Sequence, residues 1–233
     1  MNTLSFTWLG HSTFLFKSPG GKRILIEPFV ASNPSCPESA KKLGELDLIL
    51  ITHGHSDHAA DAVSIARSSG AQVVAPYEVS VWLGQKGLKN VTGMNPGGTL
   101  KALGLSIIMV PAMHSSSIEE DGKIVYLGVA TGYVITFEDG LTIYYSGDTS
   151  IFGDMKLIGE MYHPTIAFLP IGDLYTMGPE QAAKACELLG VKQVVPMHYG
   201  TFPFLTGTPA RLRELVEPKG VQVLELKPGE TAS

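Results

Sequence analysis

Apolar residues gather along this chain in short runs broken by glycine, proline and asparagine, and their period shifts between two and three-to-four. Leu4 to Leu9, Thr13 to Lys17 and Arg23 to Glu27 read as strands, the last two joined by the turn-forming Ser18-Pro19-Gly20-Gly21. An irregular stretch from Pro28 to Ser39 follows, and then an apolar strand from Leu46 that ends at Thr52. Ala59 to Arg67 carries Ala62, Val63 and Ala66 at helical spacing and stops at Gly70. A strand at Gln72 to Ala75, a helix from Pro76 to about Lys86, a strand near Val91, the Gly97-Gly98 turn and a strand at Leu105 to Val110 complete the first half.

The second half repeats that plan in different residues. Tyr126 to Phe137, Glu138-Asp139-Gly140 and Leu141 to Tyr145 predict a hairpin, and Thr165 to Ile171 a strand. A helix starts at Gly178-Pro179-Glu180 and stops at Gly190, with Glu180 and Lys184 as an i,i+4 pair. Val191 to Val195 is a strand, Thr208-Pro209 opens a helix to about Val216, and Val221 to Leu226 is a short final strand. Two β-rich halves, each carrying helices, predict an α+β protein built as a four-layer αββα sandwich, with two mixed sheets face to face and helices on both outer faces.

Composition narrows this little. At 233 residues, 44% hydrophobic and 17% charged, the chain suits one globular domain over residues 1–233. The net charge is −5, and the densest basic groups are only Lys22-Arg23, Lys41-Lys42 and Arg211-x-Arg213, so no basic stripe tracks a nucleic acid. The start, Met1-Asn2-Thr3-Leu4-Ser5-Phe6, lacks a basic segment followed by a long apolar one, and no later run spans a membrane, which predicts a cytoplasmic protein. The two cysteines, Cys36 and Cys186, are expected reduced, with Cys186 in a helix core. Homo-oligomers are compatible with the sequence.

Chemistry enters at the end of the strand at Leu46 to Thr52, where the chain reads His53-Gly54-His55-Ser56-Asp57-His58. Three of its seven histidines fall in these six residues. Imidazole with carboxylate suits zinc, manganese, nickel or iron, and no cysteine suggests a closed thiolate site. Further ligands are expected at other strand ends: His114 after Val110-Pro111, Asp148 after Tyr144-Tyr145, and His198 after Val194-Val195. Each alone could be a turn residue or loop cap; their common position is what marks them. Seven ligands exceed one tetrahedral ion and suit two divalent ions, zinc first. His53, His55 and His114 are assigned to one, Asp57, His58 and His198 to the other, and Asp148 between them.

Asp57 is also expected to orient the attacking hydroxide. His11, outside both ligand sets, is the candidate for substrate contact or for protonating the leaving group, with a role behind a ligand as the alternative. Tyr199 is either an oxyanion donor or a packed aromatic. Asp173 is expected to shape its loop, and His163 to close a helix near its C-terminus.

The His-x-His-x-Asp-His segment with His114, Asp148 and His198 resembles the metallo-β-lactamase superfamily. Trp8-Leu9-Gly10-His11-Ser12, Gly147-Asp148-Thr149, Pro170-Ile171-Gly172, Thr176-Met177-Gly178-Pro179 and Pro196-Met197-His198-Tyr199 are similar to its compact metal-dependent hydrolases related to ascorbate-phosphate lactonase. The resemblance covers essentially the whole chain and implies an αββα sandwich with a dinuclear centre at one edge. Redox members have glutamate where this chain has His55, and RNA-processing members carry added domains. The expectation is therefore a dinuclear metal-dependent hydrolase in which a metal-bridged hydroxide cleaves a small ester, lactone or phosphodiester, anionic substrates included. The alternative is a metal-binding or metabolite-sensing protein with little catalytic activity.

Overall fold

The computed structural model describes residues 3–233; Met1 and Asn2 of the expected domain lie outside them. The first strands are β1 (Ser5–Trp8), β2 (Phe14–Lys17), β3 (Arg23–Ile26) and β4 (Leu48–Leu50). Then come α1 (Ser56–Ala59), α2 (Ala62–Ser69), β5 (Gln72–Pro76), α3 (Tyr77–Gln85) and β6 (Val91–Met94). β7 (Thr99–Ala102), β8 (Leu105–Pro111), β9 (Ser117–Glu120), β10 (Lys123–Tyr126), β11 (Thr131–Thr136) and β12 (Thr142–Tyr145) form the middle. The chain continues through α4 (Met155–Tyr162), β13 (Ile166–Pro170), α5 (Pro179–Leu189), β14 (Gln193–Met197), α6 (Pro209–Val216), β15 (Gln222–Val223) and β16 (Thr231–Ala232).

The chain divides into two compact units. The first comprises Met1–Asn95, Ser115–Ala130 and Lys227–Ser233; the second comprises Pro96–His114 and Thr131–Leu226. Each holds a seven-stranded mixed sheet, in the order β16-β1-β2-β3-β4-β5-β6 and β15-β14-β13-β12-β11-β8-β7, and the first also holds the β9–β10 hairpin. In both sheets an antiparallel meander gives way to parallel strands, from β3 onward in the first and from β12 onward in the second. The expected α+β class with two mixed sheets is thus present.

Binary patterning explains each sheet. In the first unit Leu25, Ile49 and Val73 pack with Ala62 and Ala66 of α2 and Val79 and Leu83 of α3. The alternate positions Phe14, Phe16, Ile24, Ile26, Leu48 and Leu50 are equally buried, so both faces of its central strands are covered. In the second unit Val134, Tyr144, Ala167, Leu169 and Val194 pack with α4, α5 and α6 through Ile158, Cys186, Leu189 and Leu212, while Tyr133, Ile135, Tyr145 and Phe168 bury the other face. Each such large side chain contributes roughly 1.5–3 kcal/mol when fully buried. Cys36 and Cys186 are buried free thiols in different units, and burial pushes the Cys186 thiol up to about 12.

Helix ends follow the sequence signals. Gly70 and Gly190 close α2 and α5 in the left-handed conformation, Pro179 opens α5, and Thr208 caps α6 by accepting the Arg211 N–H at 3.2 Å. Four expectations need correction. The helix expected from Ala59 to Arg67 is α1 and α2 separated at Asp61, whose carboxylate accepts the Val30 and Ala31 N–H groups at 2.7 and 2.8 Å. The strand expected from Tyr126 to Phe137 breaks between β10 and β11, because Gly128 turns the chain at φ 78°. The strand expected from Val221 to Leu226 shrinks to Gln222–Val223. Glu180 pairs not with Lys184 but with Arg211 of α6 at 2.8 Å, and Lys184 pairs with Glu187 at 3.1 Å.

Candidate metal centre

In the first unit β4 is a fully buried parallel strand, and its C-terminal end delivers the histidine segment directly into a loop and the single turn of α1. His53 and His58 are fully buried. His53 Nε2 lies 3.0 Å from His55 Nδ1. Two nitrogens bound at about 2.0–2.1 Å to one tetrahedral ion stand roughly 3.3 Å apart, so this pair fits a shared cation. Asp57 Oδ2 is 3.9 Å from His58 Nε2 and 3.0 Å from His11 Nε2, and one ligand atom from each of these three residues lies within 4.8 Å of the others. Within this unit the candidate residues lie close as His53 with His55 and as Asp57 with His58, and one ligand atom from each of Glu27, His53 and His58 also lies within 4.8 Å of the others. His11 joins Asp57 and His58.

The far side of each ring is held. Glu27, at φ 57° just past β3, is fully buried; its Oε2 meets His58 Nδ1 at 2.8 Å and its Oε1 accepts the Thr52 N–H at 2.9 Å. Burial pushes the Glu27 carboxyl above the usual carboxylate range, and His58 and the Thr52 N–H oppose that rise. A proton on Nδ1, facing Glu27, leaves the Nε2 lone pair for an ion. Thr52 Oγ1 sits 3.0 Å from His53 Nδ1 and does the same for that ring. His55 Nε2 meets the Ser115 hydroxyl at 3.2 Å. A Cβ at Gly54 would press on the Leu127 side chain, and the Gly54 N–H donates to Ser116 Oγ at 3.1 Å.

His11 is fully buried at φ 55° after Gly10 at φ 92°. Asn33 fixes this turn from the irregular loop, its amide donating to the carbonyls of Leu9, Gly10 and Phe29 at 3.3, 3.1 and 3.2 Å. The expected irregular stretch after Pro28 is thus pinned by Asn33 and Asp61.

In the second unit three strand ends supply the expected residues. Asp148, 2% exposed, follows β12, His198 follows β14, and His114 follows β8. His198 Nε2 is 3.0 Å and His114 Nε2 3.7 Å from the same oxygen, Asp148 Oδ2. One carboxylate oxygen addressed by two imidazoles suits a residue that serves two cations. The turns are exacting: Gly147 has φ 60° and His198 φ 56°, and only a glycine fits at 172 against the His198 carbonyl. Met113 N–H donates to Thr149 Oγ1 at 3.0 Å and Ser150 N–H to the Met113 carbonyl at 3.1 Å, tying the His114 loop to the Asp148 loop.

The remaining expected residues are not among the grouped donors of the described residues. Tyr199 packs against the helix-covered core of its unit, and burial, with Glu225 adding to it, pushes its hydroxyl above the usual range. Asp173 is exposed and shapes its loop, its N–H donating to the Met177 carbonyl at 3.0 Å. His163 closes α4 in the left-handed conformation. Glu27, Thr52, Asn33 and Asp61 were not singled out by the sequence; Glu27 sits at a strand end, which was a usable signal.

The donor set fits divalent cations, because the buried imidazoles of His53 and His58, with their rear nitrogens hydrogen-bonded and carboxylates close by, are otherwise costly to bury. Comparison with known proteins agrees. Residues 22–199 match the β-lactamase superfamily domain. A UPF0173 metal-dependent hydrolase of Koribacter versatilis is 51% identical over 230 residues, covering 99% of this chain and 98% of the relative. Another, of Rubrobacter xylanophilus, is 50% identical over 227 residues, covering 96% and 94%. Igni18, a metallo hydrolase of the archaeon Ignicoccus hospitalis, superposes with a TM-score of 0.88 at 40% identity, covering 99% of this chain and 98% of that one.

Proposed function

The chain belongs to the β-lactamase superfamily and is a metal-dependent hydrolase, and from that premise we propose that it cleaves a small ester, lactone or phosphodiester at a centre of two divalent ions. The observation that carries this reading is the ligand groups themselves: His53 with His55, Asp57 with His58, and Asp148 with His114 and His198. Zinc suits this nitrogen-rich set first, with manganese, nickel and iron as alternatives. Such ions, when bound, lower the pKa of a water from 15.7 towards about 7 and polarise the scissile carbonyl or phosphoryl group.

The chain's own residues do the rest. Glu27 and Thr52 hold His58 and His53 in the tautomers that present Nε2. Asp57 orients the attacking water, and His11 holds Asp57 through the 3.0 Å contact between Nε2 and Oδ2. This moves His11 from the leaving group to the carboxylate, the alternative that the sequence allowed. Tyr199 keeps its packing role.

We place the reaction in the cytoplasm, on a small anionic molecule and not on nucleic acid. In support, the basic pairs are engaged by carboxylates, Lys22 with Asp47 at 3.1 Å, Lys41 with Glu38 at 2.6 Å and Arg213 with Glu225 at 2.9 Å. No helix among the described residues is long and apolar enough to cross a membrane.

The test is elemental analysis of protein purified without added metal, followed by an ester, lactone and phosphodiester panel with each ion restored. Turnover that is lost in Asp57→Ala and Asp148→Ala supports the reading. Retained turnover in both variants with empty sites would sink it, and a metal-replete protein silent on the panel but raised in Tm by a metabolite would make it a sensor.

A further inference from the structure

Two loops of the second unit follow the paired strands β13 and β14, the second of which leads to the candidate ligand His198. Residues 172–178 follow β13, and residues 199–208 follow β14 and His198. Their large apolar side chains face water: Leu174 is 64%, Tyr175 61% and Phe204 45% exposed. The rings are ordered against one another, Tyr175 edge-on to Phe204 with centroids 5.6 Å apart and Phe202 stacked on Phe204 at 5.4 Å.

Beneath this shelf the backbone is fixed and strained. Asp173 and Leu174 both have positive φ, 66° and 53°, a conformation that aspartate tolerates but that is uncommon for leucine. Met177, fully buried, donates its N–H to the carbonyl of Thr149, the neighbour of Asp148, at 3.1 Å. Gly172 lies against the His198 carbonyl, and Leu205 is buried between the exposed neighbours of its loop. A chain that spends strain to hold apolar rings in water, braced on the residues that carry Asp148 and His198, has a use for them.

We propose that this shelf of Leu174, Tyr175, Phe202 and Phe204 binds an apolar, preferably aromatic, group of the substrate, so that the ester or lactone cleaved carries such a group beside its scissile bond. This rests on the hydrolase reading above. A second copy of the chain is the competing occupant, and area disfavours it. Rings of about 150–250 Å² each, roughly half exposed, offer on the order of 300–400 Å², against about 800 Å² per partner in a stable interface.

The zinc-loaded protein is assayed by pH-stat with γ-butyrolactone and γ-phenyl-γ-butyrolactone, alongside the double variant Tyr175→Ala/Phe204→Ala. The expected result is a kcat/KM ratio of about ten or more in favour of the phenyl lactone, falling towards one in the variant. Cleavage of both lactones with no preference, or with a preference that survives in the variant, overturns the proposal and leaves the hydrolase reading standing. If neither lactone is cleaved, binding decides: calorimetry with phenylacetate and acetate should show phenylacetate about tenfold tighter on the parent protein alone, and equal affinities overturn the shelf. Light scattering that shows an oligomer in the parent and a monomer in the variant assigns the shelf to subunit contact and also overturns it.

Discussion

The two units solve one topological problem twice and place their chemistry differently. Both run an antiparallel meander into parallel strands, and both carry candidate ligands past strand ends, all of them after the parallel β4 in the first and after β8, β12 and β14 in the second. The first concentrates His53, His55, Asp57 and His58 on one loop and supports them with a buried carboxylate and a hydroxyl. The second spreads His114, Asp148 and His198 over three loops and supports them with backbone turns, positive φ at His198 and close approach at Gly172. Side-chain hydrogen bonds hold one set, main-chain geometry the other.

That difference is breakable. The largest effect is expected from removing a ligand in either unit: His55→Ala and His198→Ala should each drop hydrolysis to background and reduce bound metal by elemental analysis. A loss in only one of them would mean that the other unit's residue is not a ligand. Next, Glu27→Gln weakens the hydrogen bond behind His58 without emptying the volume, so chelator competition should show metal affinity lower by about 10–100-fold. A change below twofold would show that Glu27 supports the fold alone.

The main-chain device of the second unit is tested by glycine. Gly172→Ala forces a Cβ against the His198 carbonyl, which is backbone and cannot turn away, at a cost of about 1–3 kcal/mol. For a chain of this size Tm should fall by about 2–10 °C. Gly54→Ala meets only the Leu127 side chain, which can rotate, so its fall should be the smaller of the two. The reverse order would mean that the His198 turn relaxes more readily than the histidine loop.

The smallest effect belongs to Asp47, in the loop before β4. The Arg23 N–H, more than Lys22, holds its carboxyl below the ordinary carboxylate range. A lowered folded value means stability present above the unfolded pKa, about 3.9, and lost as pH falls through the folded one. With a third of the side chain exposed, the gain is under about 1 kcal/mol. Asp47→Asn should lower Tm by about 1–2 °C at pH 7, and the gap should close below roughly pH 3.

Much of this was legible in the chain. The seven candidate ligands stand out because residue type and strand-end position coincide, and the turns at Gly21 and Gly140 announce their hairpins with residues that tolerate positive φ. The β9–β10 hairpin carries an equal signal in Asp121-Gly122, at φ 50° and 71°, although no strand is expected over residues 117–125. The β7–β8 turn was not announced, since Leu103 takes φ 57° where asparagine or glycine is usual. Glu27 was hidden for another reason: its partner His58 is 31 residues away, and no periodicity relates them. Asn33 and Asp61 bind backbone groups across similar gaps, and such bonds leave no pattern in one dimension.

One pairing has a consequence for the order in which the molecule is made. β1 is flanked by β2 on one side and on the other by β16, with Phe6 opposite Ala232 and the Thr7 and Thr231 hydroxyls 2.7 Å apart across 224 residues. During synthesis β1 therefore presents an open edge until residues 231 and 232 emerge, after every residue of the second unit. The unit that is begun first is finished last, and a chain truncated at residue 226 would hold every strand of the second sheet but a first sheet still able to recruit a foreign strand.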